Sequence, residues 1–93
     1  MEVIMLGPLN SAENVLNILF VWSKTGKKDL GLTEISRITG INKSTVYKIL
    51  ISLQNHHLVS LDQDTKKYRI DYGVLELSSI FLKQSDLKTI AHP

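Results

Sequence analysis

Apolar residues recur at helical spacing in five stretches of the chain and at strand spacing in one pair of short runs. In the first stretch Ala12, Val15, Leu16, Leu19 and Trp22 form one helical stripe, with Asn10 or Ser11 placed to cap it, and Ile18 and Phe20 widen the apolar surface. Such a helix is expected to be covered on a second side, by later elements or by another subunit. It should stop within Ser23–Lys28, where Gly26 can end the turn. A second pattern, Thr33, Glu34, Ile35, Ile38 and then Gly40, predicts a helix of about two turns, capped by Thr33 and stopped by Gly40. A third, Val46, Ile49, Leu50 and Leu53, predicts a buried face on a helix of about residues 43–55 capped by Asn42. Only Gly40, Ile41 and Asn42 separate the two, and a tight glycine-containing turn between amphipathic helices is what a helix-turn-helix requires.

After Leu53 the helical pattern fades. Leu58, Val59 and Leu61 form one short run, and Lys67–Asp71, with Tyr68 and Ile70 alternating against Lys67, Arg69 and Asp71, forms a second. Asp62–Lys66 makes the tip of the resulting hairpin, residues 58–71, and Gly73 should end it. Val74, Leu75, Leu77, Ile80 and Phe81 then fit a helix ending near Lys83, and Ser85 or Asp86 could cap another containing Leu87, Ile90 and Ala91. The expected fold class is mainly α with a small β-hairpin, a winged helix-turn-helix of three helices and a two-stranded wing followed by a linker helix. Residues 1–10 read as an arm broken at Gly7-Pro8, 11–84 as the domain, and 85–93 as the start of a further linker.

Composition narrows the function classes. The chain has 93 residues, enough for one domain with a modest core, and 43% of them are hydrophobic. A net charge of +2 permits a nucleic-acid partner without demanding one. There is no cysteine, so disulfides and thiolate metal sites are excluded. The apolar run Ile18–Trp22 is far short of the roughly 18 residues a membrane span needs, and Glu2 stands where a signal peptide would be cationic. A cytoplasmic protein with no membrane partner is expected. His56 and His57 are adjacent and would diverge on a helix, His92 lies in the tail, and no nucleophile triad or glycine-rich phosphate loop is present. No enzyme, metal site or cofactor is expected.

The candidate chemistry lies on the third helix. At about 100° per residue, the side opposite its apolar face centres on Ser44 and Lys48, flanked by Thr45 and Tyr47. These four carry hydrogen-bonding or cationic groups suited to base edges in the major groove of double-stranded DNA. Thr33 and Arg37 around the second helix, Asn42 and Lys43 at the turn, and Lys66, Lys67 and Arg69 in the wing are the candidates for the phosphate backbone. Lys24, Lys27 and Lys28 read as a solvated basic loop. The competing reading is a winged helix used for protein contact without DNA readout, which an acidic or apolar third-helix face would favour. Here that face is cationic and hydroxyl-bearing, which favours DNA.

Ser11-Ala12-Glu13, Leu32-Thr33-Glu34-Ile35, Lys43-Ser44-Thr45-Val46-Tyr47-Lys48-Ile49-Leu50 and Tyr68-Arg69-Ile70, taken in order and at this spacing, resemble the N-terminal DNA-binding domain of the IclR (isocitrate lyase regulator) family of transcriptional regulators. The likeness covers nearly all of residues 11–93, and Lys43–Val46 is its most specific part. It implies a homodimeric repressor or activator on a near-palindromic operator, its third helix in the major groove. It also implies a C-terminal domain, absent from this chain, through which a small-molecule effector acts. Because Leu87–Pro93 resembles the family's connection into that domain, the chain is expected to be a fragment. Three positions depart from the family pattern. Lys48 stands where arginine is usual, Lys66 where glycine is frequent, and Ile51 is apolar on the face assigned to DNA. A lysine offers a point charge in place of a bidentate fork.

Overall fold

A computed structural model describes residues 10–84. The arm before Asn10 and the expected helix with its Ser85 or Asp86 cap lie outside the described residues. The order of elements is α1 (Asn10–Leu19), α2 (Val21–Thr25), β1 (Leu30–Gly31), α3 (Leu32–Thr39), α4 (Lys43–Asn55), β2 (Val59–Leu61), β3 (Lys67–Ile70) and α5 (Gly73–Gln84). The third helix of the sequence pattern is thus α4.

The expected first helix is present but interrupted at Phe20, which has φ −87° and ψ 0°. The break is slight, because Phe20 N–H still donates to Leu16 O (3.0 Å) and Lys24 N–H to Phe20 O (3.1 Å). The core-facing stripe is rotated from the expected one: Ile18, Val21 and Trp22 are buried, while Leu16 and Phe20 point to solvent. Asn10 and Ser11, the expected caps, both lie within α1. Helix α2 stops at Gly26, whose φ of 72° is the left-handed conformation, within the segment expected to end it.

Two features of α3 differ from expectation, and both have one cause. Leu30 pairs with Tyr68 and Gly31 with Lys67, so a third strand, β1, lies on the outer edge of β3 and the sheet order is β1-β3-β2. That strand runs directly into α3, so Gly31 takes the N-cap position and Thr33, the expected cap, is the second helical residue. Capping passes to Glu34, whose Oε1 accepts from Gly31 N–H (3.3 Å). The Lys27 ammonium, which donates to the same carboxylate, together with that N–H holds Glu34 below its ordinary value of 4.5.

The core is a single cluster of Ile18, Val21, Trp22, Leu30, Ile35, Val46, Leu50, Leu53, Val59 and Tyr68. Every element from α1 to β3 contributes to it, which fixes the angle at which α4 crosses α3. Gly40, at φ 77°, ends α3 and donates to Ser36 O (2.9 Å), and Ser36 Oγ donates to Ile41 O (2.6 Å), so the turn is held from both sides. Trp22 Nε1 donates to Tyr68 O (3.2 Å), a buried bond that ties α2 to the wing strand.

In the hairpin, Val59, Ser60 and Leu61 pair with Ile70, Arg69 and Tyr68. Asp62 organises the tip, its Oδ1 accepting from Asp64 N–H (2.8 Å) and Thr65 N–H (3.2 Å), and these two bonds hold its carboxyl below its ordinary value. The turn closes through Lys66 at φ 61°, a conformation that costs a side-chain-bearing residue on the order of 1 kcal/mol. Replacing Lys66 by Gly should relieve that strain. Allowing for the greater unfolded-state freedom of glycine, a net gain of about 0.5 kcal/mol is expected, seen as a melting temperature raised by roughly 2 to 4 °C. An unchanged or lowered melting temperature in thermal denaturation would contradict this account of the tip. Gly73, expected to end the hairpin, instead opens α5, because the strand stops at Ile70 and Asp71-Tyr72 make the connection.

Candidate nucleic-acid interface

Helix α4 presents the residues that the pattern placed outward. Val46, Leu50 and Leu53 are buried and Ile49 is half-buried. Ser44, Tyr47 and Lys48 are exposed, Tyr47 at 50%, and Thr45 is half-buried at the edge of that face. Ile51 is exposed one turn further on, so the outward face combines hydroxyls, one aromatic ring, cations and one aliphatic group. No acid occurs anywhere in Lys43–Asn55. The apolar stripe of α4 follows from the core, and the composition of the opposite face therefore has no packing explanation.

The start of α4 is built by Asn42. Its Oδ1 accepts from Thr45 N–H (3.0 Å) and from Ser44 Oγ (2.8 Å), and Val46 N–H reaches Asn42 O (3.0 Å) as the first intrahelical bond. The N–H groups of Lys43 and Ser44 remain among the unpaired donors that begin every helix. Asn42 thus has its amide oxygen committed and its amide NH2 exposed, and Ser44 has its hydroxyl proton committed while its oxygen lone pairs remain available.

The candidate backbone residues fall in three places. Thr33 and Arg37 are exposed on α3, Asn42 and Lys43 at the turn into α4, and Lys66 and Lys67 at the wing tip and its return strand. The β1–β3 pairing brings the wing beside the start of α3: Gly31 opposes Lys67, and the Lys67 charge lies close enough to help lower the Glu34 carboxyl. The described ion pairs are Lys27–Glu34 and Arg69–Asp29 (2.9 Å). Arg69 is thus balanced by Asp29, whereas Arg37, Lys43, Lys48, Lys66 and Lys67 take no part in either pair. Asp29 was not among the candidate residues; its pairing follows from the strand β1 that sequence reasoning did not foresee. Tyr47 also lies near the wing strand, and its phenol, added to burial, raises Tyr68 above its ordinary value of 10.

Among the described residues no cluster of three or more His, Cys, Asp or Glu could hold a metal ion. His56 caps the end of α4 and His57 follows it in the left-handed conformation. No helix among the described residues is long and apolar enough to cross a membrane.

Comparison with known proteins agrees with this geometry. The profile of the IclR helix-turn-helix domain matches residues 11–63, more than half of the chain. The HTH-type transcriptional regulator XynR of Escherichia coli (strain K12) is 28% identical over 80 residues, covering 86% of this chain and 31% of that protein. The HTH-type transcriptional regulator KdgR of Dickeya chrysanthemi is 28% identical over 79 residues, covering 84% of this chain and 26% of that protein. Among solved structures, an IclR family transcriptional regulator from Brucella abortus superposes with a TM-score of 0.74 at 27% identity, over 90% of this chain and 32% of its own. A regulator from Alicyclobacillus acidocaldarius shares the fold with a TM-score of 0.76 at 24% identity. The chain thus spans about a third or less of the length of these relatives. Helices packed about a glycine turn, an acid-free face on the helix after that turn, and a profile match over residues 11–63, which spans both, leave one conclusion, that the chain belongs to the IclR helix-turn-helix family of DNA-binding domains.

Proposed function

We propose that this chain is the sequence-specific DNA-binding domain of a transcriptional regulator, with α4 in the major groove and the β2–β3 wing along the phosphate backbone. The observation that carries it is the exposed face of α4, where Ser44, Tyr47 and Lys48 stand outward over a core-facing stripe that is wholly apolar. Lys48 supplies a cation near the middle of that face, Ser44 an acceptor oxygen, Thr45 and Tyr47 hydroxyls at its margins, and Ile51 a surface for a thymine methyl. The Lys43 and Ser44 N–H groups and the Asn42 NH2 meet a phosphate at the helix start. Thr33 and Arg37 on α3 and Lys66 and Lys67 in the wing meet phosphates on either side. Arg69, already paired with Asp29, contributes less than its charge suggests. The relatives are regulators, and the proposal assigns no catalytic residue, places the protein in the cytoplasm, and leaves effector control to a domain outside this chain.

The test is a titration of the 93-residue chain with duplex DNA at several salt concentrations. Each phosphate neutralised should contribute about −0.9 to the slope of log K against log salt, so engagement of Arg37, Lys43, Lys66 and Lys67 gives a slope of about −3 to −4. Absence of binding, or binding indifferent to salt, would contradict the proposal.

The same reading includes a homodimer. Leu16 of α1, Phe20 at the break between α1 and α2, and Leu75, Leu77, Ile80 and Phe81 of α5 are all exposed, and α1, α2, β3 and α5 border an apolar cavity of about 290 Å³ lined by Leu19, Trp22, Leu58, Ile70 and Val74 among others. Burial of this surface between two copies supports a two-fold arrangement and a near-palindromic site. Sedimentation should show two chains per palindromic duplex; one chain both free and on that duplex would contradict it.

A further inference from the structure

Gly73 is buried, and its surroundings are the backbone at the end of α4. Helix α4 closes with two bonds, from Leu58 N–H to Leu53 O (2.9 Å) and from His57 N–H to Gln54 O (3.0 Å), around His57 at φ 59°. This is the closing motif in which glycine usually takes the left-handed position. The Tyr72 ring stacks on the His57 imidazole, with centroids 4.9 Å apart and planes 18° from parallel. Gly73 N–H then donates to His57 O (2.7 Å), and Asp71 N–H to Leu58 O (2.9 Å).

The fit at Gly73 is closed to any side chain. A Cβ there would lie 2.6 Å from His57 O, 2.7 Å from His56 O and 2.8 Å from His57 C, all of them backbone atoms that cannot swing aside. Beyond this point α5 is weakly held: Val74 is half-buried, while Leu75 is 68% exposed and Leu77, Ile80 and Phe81 are more than half exposed. The first turn of α5 is therefore gripped by the last turn of α4, and the rest of α5 projects.

We propose that Gly73 is a positioning residue: it seats the start of α5 directly on the C-terminal end of α4, with the His57–Tyr72 stack as the clamp, so that the direction of α5 and the seating of α4 are coupled. Its consequence for DNA rests on the function proposed above; the coupling itself does not. Whatever holds α5, a second copy included, then acts on the helix that faces the groove through three residues rather than through the core.

The test compares wild type, Gly73→Ala and Tyr72→Ala in the 93-residue chain. One readout is amide hydrogen exchange of the free protein; the other is affinity for a duplex that the wild type has selected from a random-sequence pool. In Gly73→Ala the amides of Ile35, Val46 and Leu50 should exchange as in wild type, while those of His57 and Leu58 should lose about tenfold or more in protection. Affinity for the selected duplex should fall about tenfold. A merely structural role for Gly73 would instead lower protection in the core and at the end of α4 alike, and that result would overturn the proposal. So would changes confined to α5, with His57 and Leu58 as in wild type. If Gly73→Ala does not fold, Tyr72→Ala leaves the backbone contact intact and should show the same local pattern at about threefold; core and helix end changing together would again overturn it. Should the wild type select no sequence while the end of α4 still loosens alone in the variants, the DNA reading fails and the coupling stands.

Discussion

Trp22→Ala should cost about 3 to 5 kcal/mol of folding stability, the largest loss expected from any single truncation in this core. Trp22 is 5% exposed and packs with Ile18, Val21, Leu30 and Tyr68 in the buried cluster, and its Nε1–H makes a buried bond to Tyr68 O. Truncation leaves a cavity where the indole stood and removes the bond that ties α2 to the wing strand. A domain of this size has a total stability of roughly 5 to 14 kcal/mol, so the variant should be partly unfolded at physiological temperature. Trp22→Phe retains most of the packing and loses the hydrogen bond, and should cost about 1 to 3 kcal/mol. Urea denaturation of both variants checks this. Equal, small losses would mean that Trp22 is not the strut between α2 and the wing.

Lys48→Ala should cost about 1 to 3 kcal/mol on a selected DNA site and flatten the preference among base substitutions beneath α4. Lys48 lies one turn after Ser44 at the centre of the exposed face, and in the proposed docking that position faces base edges rather than phosphates. Lys67 on β3 opposes Gly31 of β1, beside the start of α3, and in the proposed docking the hairpin lies there along the phosphate backbone. Lys67→Ala should therefore weaken selected and random duplexes alike and reduce the salt slope by roughly one unit. Competition titrations against single-base variants separate the two. An equal loss for every sequence in Lys48→Ala would make α4 a backbone anchor rather than the reading element.

How much of this was legible in the sequence depended on how local the cause was. Helix α4 was legible because its cap, Asn42, and its apolar positions, Val46, Leu50 and Leu53, lie within one stretch and obey one period. The outward placement of Ser44, Tyr47 and Lys48 follows from the same period. Strand β1 was not legible: Leu30–Gly31 is too short to show alternation, and its pairing partner lies more than thirty residues away on β3. The same strand moved the cap of α3 from Thr33 to Gly31 and gave Arg69 its partner Asp29, so one missed element accounts for both differences. The rotation of the α1 stripe toward Ile18 could not be seen either, because Leu16, Ile18 and Phe20 are all apolar and only packing chooses among them. The junction at Gly73 is wholly tertiary. A glycine after a hairpin reads as a stop, and only the approach of His56 and His57 backbone shows why a side chain is excluded.

The central claim, that α4 is the face offered to DNA, is tested most directly by following the backbone amide signals of the isotopically labelled chain as a selected duplex is added. The largest changes should fall on Asn42, Lys43, Ser44, Thr45, Tyr47 and Lys48, with smaller ones at Thr33, Arg37, Lys66 and Lys67. Changes concentrated on α1 and α5, with Ser44 to Lys48 unmoved, would contradict it.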